Sequence, residues 1–128
     1  MKRILLLTML CFLLTGCGKE EKTEQTKYTP ITADEAKTII DGEDEYILLD
    51  VRTQTEYEEG HIEGAYLIPD NEINVRAEDE LADKDTTILV YCRSGRRSKL
   101  AAQSLADLGY TNVYEFGGII DWPYETVK

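Results

Sequence analysis

The chain has 128 residues, 30% of them charged, with a net charge of −11. That length suits one domain rather than two. The strong acidity argues against a nucleic-acid partner, and its field would repel anionic lipid headgroups.

The composition is uneven along the chain. Met1 to Gly16 places Lys2-Arg3 before an apolar stretch from Ile4 to Leu14 and the small pair Thr15-Gly16, the layout of an export signal. About eleven apolar residues fall well short of the roughly twenty that a spanning helix needs. Leu14-Thr15-Gly16-Cys17 resembles the bacterial lipobox, whose cysteine is lipidated and becomes the first residue of the mature chain. An ordinary secretory signal with an incidental cysteine is the alternative. Residues 1–16 are therefore expected to be a lipoprotein signal peptide, and 17–29 a lipidated cysteine with a flexible polar tether. Residues 30–128 are expected to form the domain. Loss of Lys2 and Arg3 would take the net charge from −11 to −13. The expected location is outside the cell, lipid-anchored at a cell surface or on a periplasmic membrane face.

Within the domain, Thr32-Ala33-Asp34-Glu35 is a capping box, opening a helix that runs to about Asp41 and stops at Gly42. Tyr46-Ile47-Leu48-Leu49 is a continuous apolar run, the mark of a strand buried on both faces. Thr53-Gln54-Thr55-Glu56 is a second capping box, for a short helix ending at Gly60. Ala65 to Ile68 reads as a strand stopped by Pro69, and Asn71 to Leu81 as a helix. Thr87 to Tyr91 is the clearest strand, β-branched and apolar up to Cys92. From Arg96 to Leu108, the residues Leu100, Ala101, Leu105 and Leu108 recur at helical spacing before the stop at Gly109. Asn112 to Phe116 is a last strand. Strands alternating with helices imply an α/β fold, its mostly parallel sheet covered on both faces.

Cysteine usage narrows the chemistry. Cys11 would leave with the signal and Cys17 would carry lipid, so the mature domain keeps one thiol, Cys92. A lone cysteine in an exported domain is either inert and buried or reactive. Cys92 stands where a buried strand ends and a helix begins, where unsatisfied N–H groups and the helix dipole favour thiolate. Four of the twelve basic residues of the mature chain, Arg93, Arg96, Arg97 and Lys99, follow within seven positions. This local reversal of sign would draw an anionic substrate. Gly95 lets the loop curl around the sulfur, and Ser94 is placed to donate a hydrogen bond or cap the helix.

Three segments bring a resemblance with them. Leu48 to Arg52 with Glu56-Tyr57 and Gly60-His61-Ile62-Glu63-Gly64-Ala65, then the loop Cys92 to Arg97, then Gly117-Gly118-Ile119-Ile120-Asp121-Trp122 occur in the order and spacing of the single-domain rhodaneses. The chain resembles that family from Tyr28 to Trp122. The resemblance implies a five-stranded, mostly parallel sheet with helices on both faces, and no cofactor. It also implies that Cys92 takes a sulfane sulfur from a small anionic donor and passes it, as a persulfide, to a thiol or other nucleophilic acceptor. The N–H groups from Arg93 to Arg97, Ser94 and Gly95 included, would cradle the persulfide, and the Arg93, Arg96 and Arg97 side chains would attract the anion.

Other residues are weighed against this. His61, the only histidine, is a candidate general base, but in the resembling family its segment is a structural signature. Asp50 and Arg52 read as an ion pair supporting the pocket rather than as direct participants. Trp122 and Tyr124 read as packing. One histidine and one cysteine make no metal-ligand cluster. A tyrosine-type phosphatase would need an arginine at the position of Ser98, and phosphatases of the related fold have a loop one residue longer. A persulfide sensor or docking module without turnover is the other alternative.

Overall fold

The computed structural model describes residues 27–128. The expected signal segment, Cys17 and most of the tether lie outside the described residues.

Five strands, all parallel, form one sheet in the order β1-β5-β4-β2-β3. They are β1 (Thr29–Pro30), β2 (Ile47–Asp50), β3 (Tyr66–Leu67), β4 (Ile88–Cys92) and β5 (Val113–Gly118). The helices are α1 (Ala33–Asp41), α2 (Gln54–Glu59), α3 (Ile73–Glu80) and α4 (Arg96–Asp107), with single 3-10 turns at Asp70–Glu72 and Ile119–Asp121. The α/β architecture read from the alternation of elements is the one observed. Both capping boxes close as their spacing implies: Thr32 with Glu35 and Thr53 with Glu56 exchange side-chain and backbone hydrogen bonds.

β4 is buried along its whole length, between β2 and β5. Its side chains alternate faces. Ile88, Val90 and Cys92 pack with Ile73, Ala77, Ala101 and Leu105 beneath α3 and α4. Leu89 and Tyr91 pack on the other face with Ala36 of α1, Phe116 and Trp122. This parity puts the Cys92 side chain on the α4 face.

Two local readings change. The sequence offers no strand ahead of α1, yet Thr29 pairs with Tyr114, and Tyr28 packs against the core. Two paired residues are too few to show an alternating pattern, and the fold thereby takes in the end of the stretch read as a tether. Leu100, expected on the apolar face of α4, is 58% exposed. The inward stripe is Ser98, Ala101, Ala102 and Leu105, the i, i+3, i+4, i+7 spacing of one helix face. Leu100 is out of phase with it.

Candidate functional site

The carboxyl ends of β2, β4 and β5 bring Asp50, Cys92 and Gly118 to one edge of the sheet, where open α/β sheets bind ligands. Cys92 is the last residue of β4 and is 1% exposed. The Gly95 N–H donates to its Sγ over 3.0 Å. Gly95 is the N-cap of α4 with φ 103°, a left-handed conformation that glycine adopts without strain. Ser94 therefore does not cap the helix, and its side chain is exposed. Folding the chain back at Gly95 brings its N–H onto the sulfur and aims the start of a twelve-residue helix at it.

The loop rests on glycine. A Cβ on Gly118 would lie 2.0 Å from the Arg93 carbonyl oxygen and 2.6 Å from Ser94 Cα. The register between β4 and β5 shifts just here. Val90 pairs with Glu115, but Cys92 pairs with Gly118, so β5 carries one extra residue. Such a bulge re-aims a strand locally, and Gly117, with φ 90°, takes up the bend. The Arg93 carbonyl in turn accepts the Ile120 N–H at 3.2 Å.

The loop cations differ in their surroundings. Arg93 and Arg96 are exposed. Arg97, read from sequence as a free cation for the anionic substrate, instead makes a two-pronged ion pair with Glu56 of α2. The cause is geometric: α2 starts across the cleft, and its capping box holds the Glu56 carboxylate toward α4. Thr53 donates to that carboxylate from both its N–H and its hydroxyl. The Glu56 hydrogen bond to Arg97 raises the already high affinity of the guanidinium for its proton.

Asp50 and Arg52 form the expected ion pair, Nη2 to Oδ2 at 2.7 Å, with Asp50 fully buried. The same Nη2 donates to the Gly60 carbonyl at 2.7 Å, and the guanidinium lies 5.7 Å from the centre of the Tyr91 ring. The Tyr91 hydroxyl accepts the Ile62 N–H. Burial, with help from the Asp50 charge, pushes the Tyr91 phenol well above its usual range. Together these contacts fasten the segment from Gly60 to Ile62 under β4.

His61 stacks on Tyr57, with ring centres 3.7 Å apart, and its Nδ1 lies 2.8 Å from the Tyr57 carbonyl. A carbonyl only accepts, so Nδ1 carries the proton. The His61 backbone pairs with Val127. The contacts of His61 thus lie within its own loop and the C-terminal segment. Trp122 packs against Phe116 and Tyr124.

Two residues that sequence reasoning did not place at the site meet beneath the sulfur. The Cys92 thiol donates to Ser98 Oγ at 3.4 Å, and Ser98 Oγ donates to Glu115 Oε1 at 2.7 Å. Both are buried. The signals were present: Ser98 continues the inward stripe of α4, and Glu115 alternates with Val113 toward the same face. Glu56 was identified as a cap, and its second contact was not foreseen.

A cavity of about 390 Å³ adjoins the loop, walled by Arg93, Arg52, Glu56, Glu59, Ile119 and Ile120. A larger one of about 820 Å³ lies between α1 and the C-terminal segment, against Ile40, Tyr46, Ile62 and Tyr124. Cys92 lines neither, so the sulfur sits below the floor of the loop.

Comparison with known proteins agrees with this fold. The family model described as Rhodanese-like domain matches residues 32–123. Thiosulfate sulfurtransferase PspE of Escherichia coli is 39% identical over 80 residues, covering 62% of this chain and 77% of the other. A protein named Sulfurtransferase from Allochromatium vinosum is 38% identical over 88 residues, covering 68% and 79%. Among solved structures, the one described as rhodanese with anions from E. coli superposes with a TM-score of 0.62 at 37% identity. It covers 66% of this chain and 99% of its own.

Proposed function

The chain belongs to the rhodanese-like family, and from that premise we propose that it is a sulfurtransferase working through a persulfide on Cys92. The donor is a small anion with a transferable outer sulfur, of the thiosulfate or persulfide type, and the acceptor is an external thiol or cyanide. The Cys92 thiolate attacks the outer sulfur of the donor. A bond from Sγ to that sulfur forms, the donor's own sulfur–sulfur bond breaks, and its electron pair leaves with sulfite when the donor is thiosulfate. The acceptor then attacks the outer sulfur of the persulfide, and the electron pair of the broken bond returns to Sγ as thiolate.

The single observation that carries this reading is the seat of the sulfur: 1% exposed, at the end of β4, receiving the Gly95 N–H at 3.0 Å. Fixed N–H donors of this kind stabilise developing negative charge without reorganisation. Arg93 and Arg96 supply the attraction for the anion, while Arg97 holds the loop through Glu56. Among the described residues Cys92 is the only free cysteine; with Cys11 removed in the signal and Cys17 carrying lipid, as this proposal has it, the acceptor that discharges the persulfide comes from another molecule. In the same proposal residues 1–16 direct export, and a lipid on Cys17 anchors the domain outside the cell at a bacterial membrane.

The test uses thiosulfate and cyanide. Thiocyanate should form, intact-protein mass spectrometry should find one added sulfur on Cys92, and Cys92→Ser should lose both. Full turnover by Cys92→Ser would refute the reading. So would hydrolysis of a small phosphate ester with no persulfide, which would favour a cysteine phosphatase. A persulfide that forms and never passes to cyanide or a thiol would mark a sensor instead.

A further inference from the structure

Glu115 is a carboxylate where the fold asks for an apolar side chain. β5 turns Val113 and Glu115 toward α4, into the layer that holds Val90 and Cys92. Glu115 is 3% exposed, and no cation lies within ion-pair distance of it among the described residues. A buried charge without a counter-ion is costly unless hydrogen bonds hold it or a proton neutralises it.

Its partners show how it is used. Oε1 accepts the Gly117 N–H at 2.8 Å and the Ser98 hydroxyl at 2.7 Å. Ser98 has a single proton and other acceptors farther off, the Gly95 carbonyl at 3.0 Å and the Gly117 carbonyl at 3.4 Å. The shorter bond to a charged acceptor takes it. That leaves a lone pair of Ser98 Oγ facing the Cys92 thiol, which donates to it at 3.4 Å. Sulfur, hydroxyl and carboxylate thus form one buried chain in which each proton points toward Glu115.

We propose that Glu115 takes the Cys92 thiol proton through Ser98, and that this relay generates the attacking thiolate. The S–H bond breaks with its electron pair left on sulfur. Ser98 Oγ gains that proton as its own passes to Glu115 Oε1. The Ser98 hydroxyl then points at the thiolate and donates to it, and the carboxyl is neutral. One negative charge is thereby moved from Glu115 to the sulfur, and the two never need to be charged together across Ser98. Because the acceptor later releases Cys92 as thiolate, the proton can stay on Glu115 from one turnover to the next. The other titratable groups facing this chain are Arg97, whose field reaches Cys92 and Asp70, and Tyr28, whose phenol is kept neutral by burial and by Glu115.

The relay rests on the sulfur-transfer reading only for the step that follows proton loss. The decisive measurement needs no sulfur donor: the rate of Cys92 alkylation by iodoacetamide, from acid to alkaline pH. Glu115→Gln keeps an oxygen to accept from Ser98 and Gly117 but is a far weaker base. It should slow alkylation at neutral pH about a hundredfold, move the half-plateau of the profile to higher pH, and leave KM for thiosulfate unchanged. Ser98→Ala should do the same, and the double variant should be no worse than either single one. Unchanged alkylation in Glu115→Gln, a half-plateau moved to lower pH, or losses that multiply in the double variant would overturn the relay. If circular dichroism shows Glu115→Gln unfolded, Ser98→Ala carries the test alone. Wild-type protein that alkylates rapidly yet releases no sulfite from thiosulfate in a single turnover would instead sink the sulfurtransferase reading.

Discussion

Arg97 grips Glu56 with two parallel bonds, Nη1 to Oε1 at 2.7 Å and Nη2 to Oε2 at 2.9 Å. The pair ties the first turn of α4 to the first turn of α2. It holds the Glu56 carboxyl down to about 2, chiefly through the Arg97 hydrogen bond. The folded value lies below the unfolded one of about 4.5. Its stabilisation is therefore fully present above about pH 4.5 and is lost as the pH falls toward 2. Both side chains are 24% exposed, so solvent reduces a ceiling of about 3 kcal/mol to roughly 1–2. Glu56→Gln should lower the unfolding free energy from a urea titration at pH 7 by that amount and leave it nearly unchanged near pH 2. An equal loss at both pH values would remove the ion pair as the cause.

Arg93 and Arg96 are the exposed cations of the loop. Replacing either by Ala should raise KM for thiosulfate about tenfold, the scale of one charge-assisted contact, with a smaller effect on kcat. Added salt should raise the wild-type KM and change that of the double Ala variant much less. Steady-state kinetics over a range of ionic strength checks this.

Gly118→Ala should fail for a steric reason. The new methyl would meet the Arg93 carbonyl oxygen at 2.0 Å, and backbone cannot move aside as a flexible side chain can. The expected cost is about 3 kcal/mol or more in a denaturant titration. Persulfide formation should be lost even at temperatures where the variant is folded, because the loop would be lifted from its floor.

Arg52→Leu leaves the Asp50 carboxylate fully buried without its partner. The loss should be about 3–5 kcal/mol, larger than for any surface pair. It should be smaller in Asp50→Asn with Arg52→Leu, which leaves no stranded charge. Thermal or chemical unfolding of the two variants beside the wild type measures both.

The elements legible in the sequence are those whose signal is local. The two capping boxes, the apolar runs of β2 and β4, and Gly95 announce themselves within five residues, and Cys92 inherits its position from them. β1 did not show, because two residues carry no period. Leu100 misled, because four apolar residues fit a helix without fixing which side faces inward; Ser98 sets the phase of α4. Arg97 looked free because its partner lies 41 positions earlier in the chain. Glu115 passed as one residue of the last strand, because its role comes from meeting Ser98, 17 positions away. Long-range pairing of polar side chains leaves no periodic trace in a single sequence.

The extra residue in β5 has a consequence for the adjacent glycines Gly117 and Gly118. To the eye they are duplicates, and a deletion of one resembles the trimming of a spare. In the sheet they have different grammatical roles: Gly117 supplies the bend, and Gly118 faces Cys92. Removing either leaves two residues against two, which irons out the bulge while a glycine still stands opposite Cys92. What disappears is the bend that carries the chain on to Ile120 at the Arg93 carbonyl and Trp122 at Phe116. The doublet is punctuation, a pause in the strand that sets where the C-terminal segment begins.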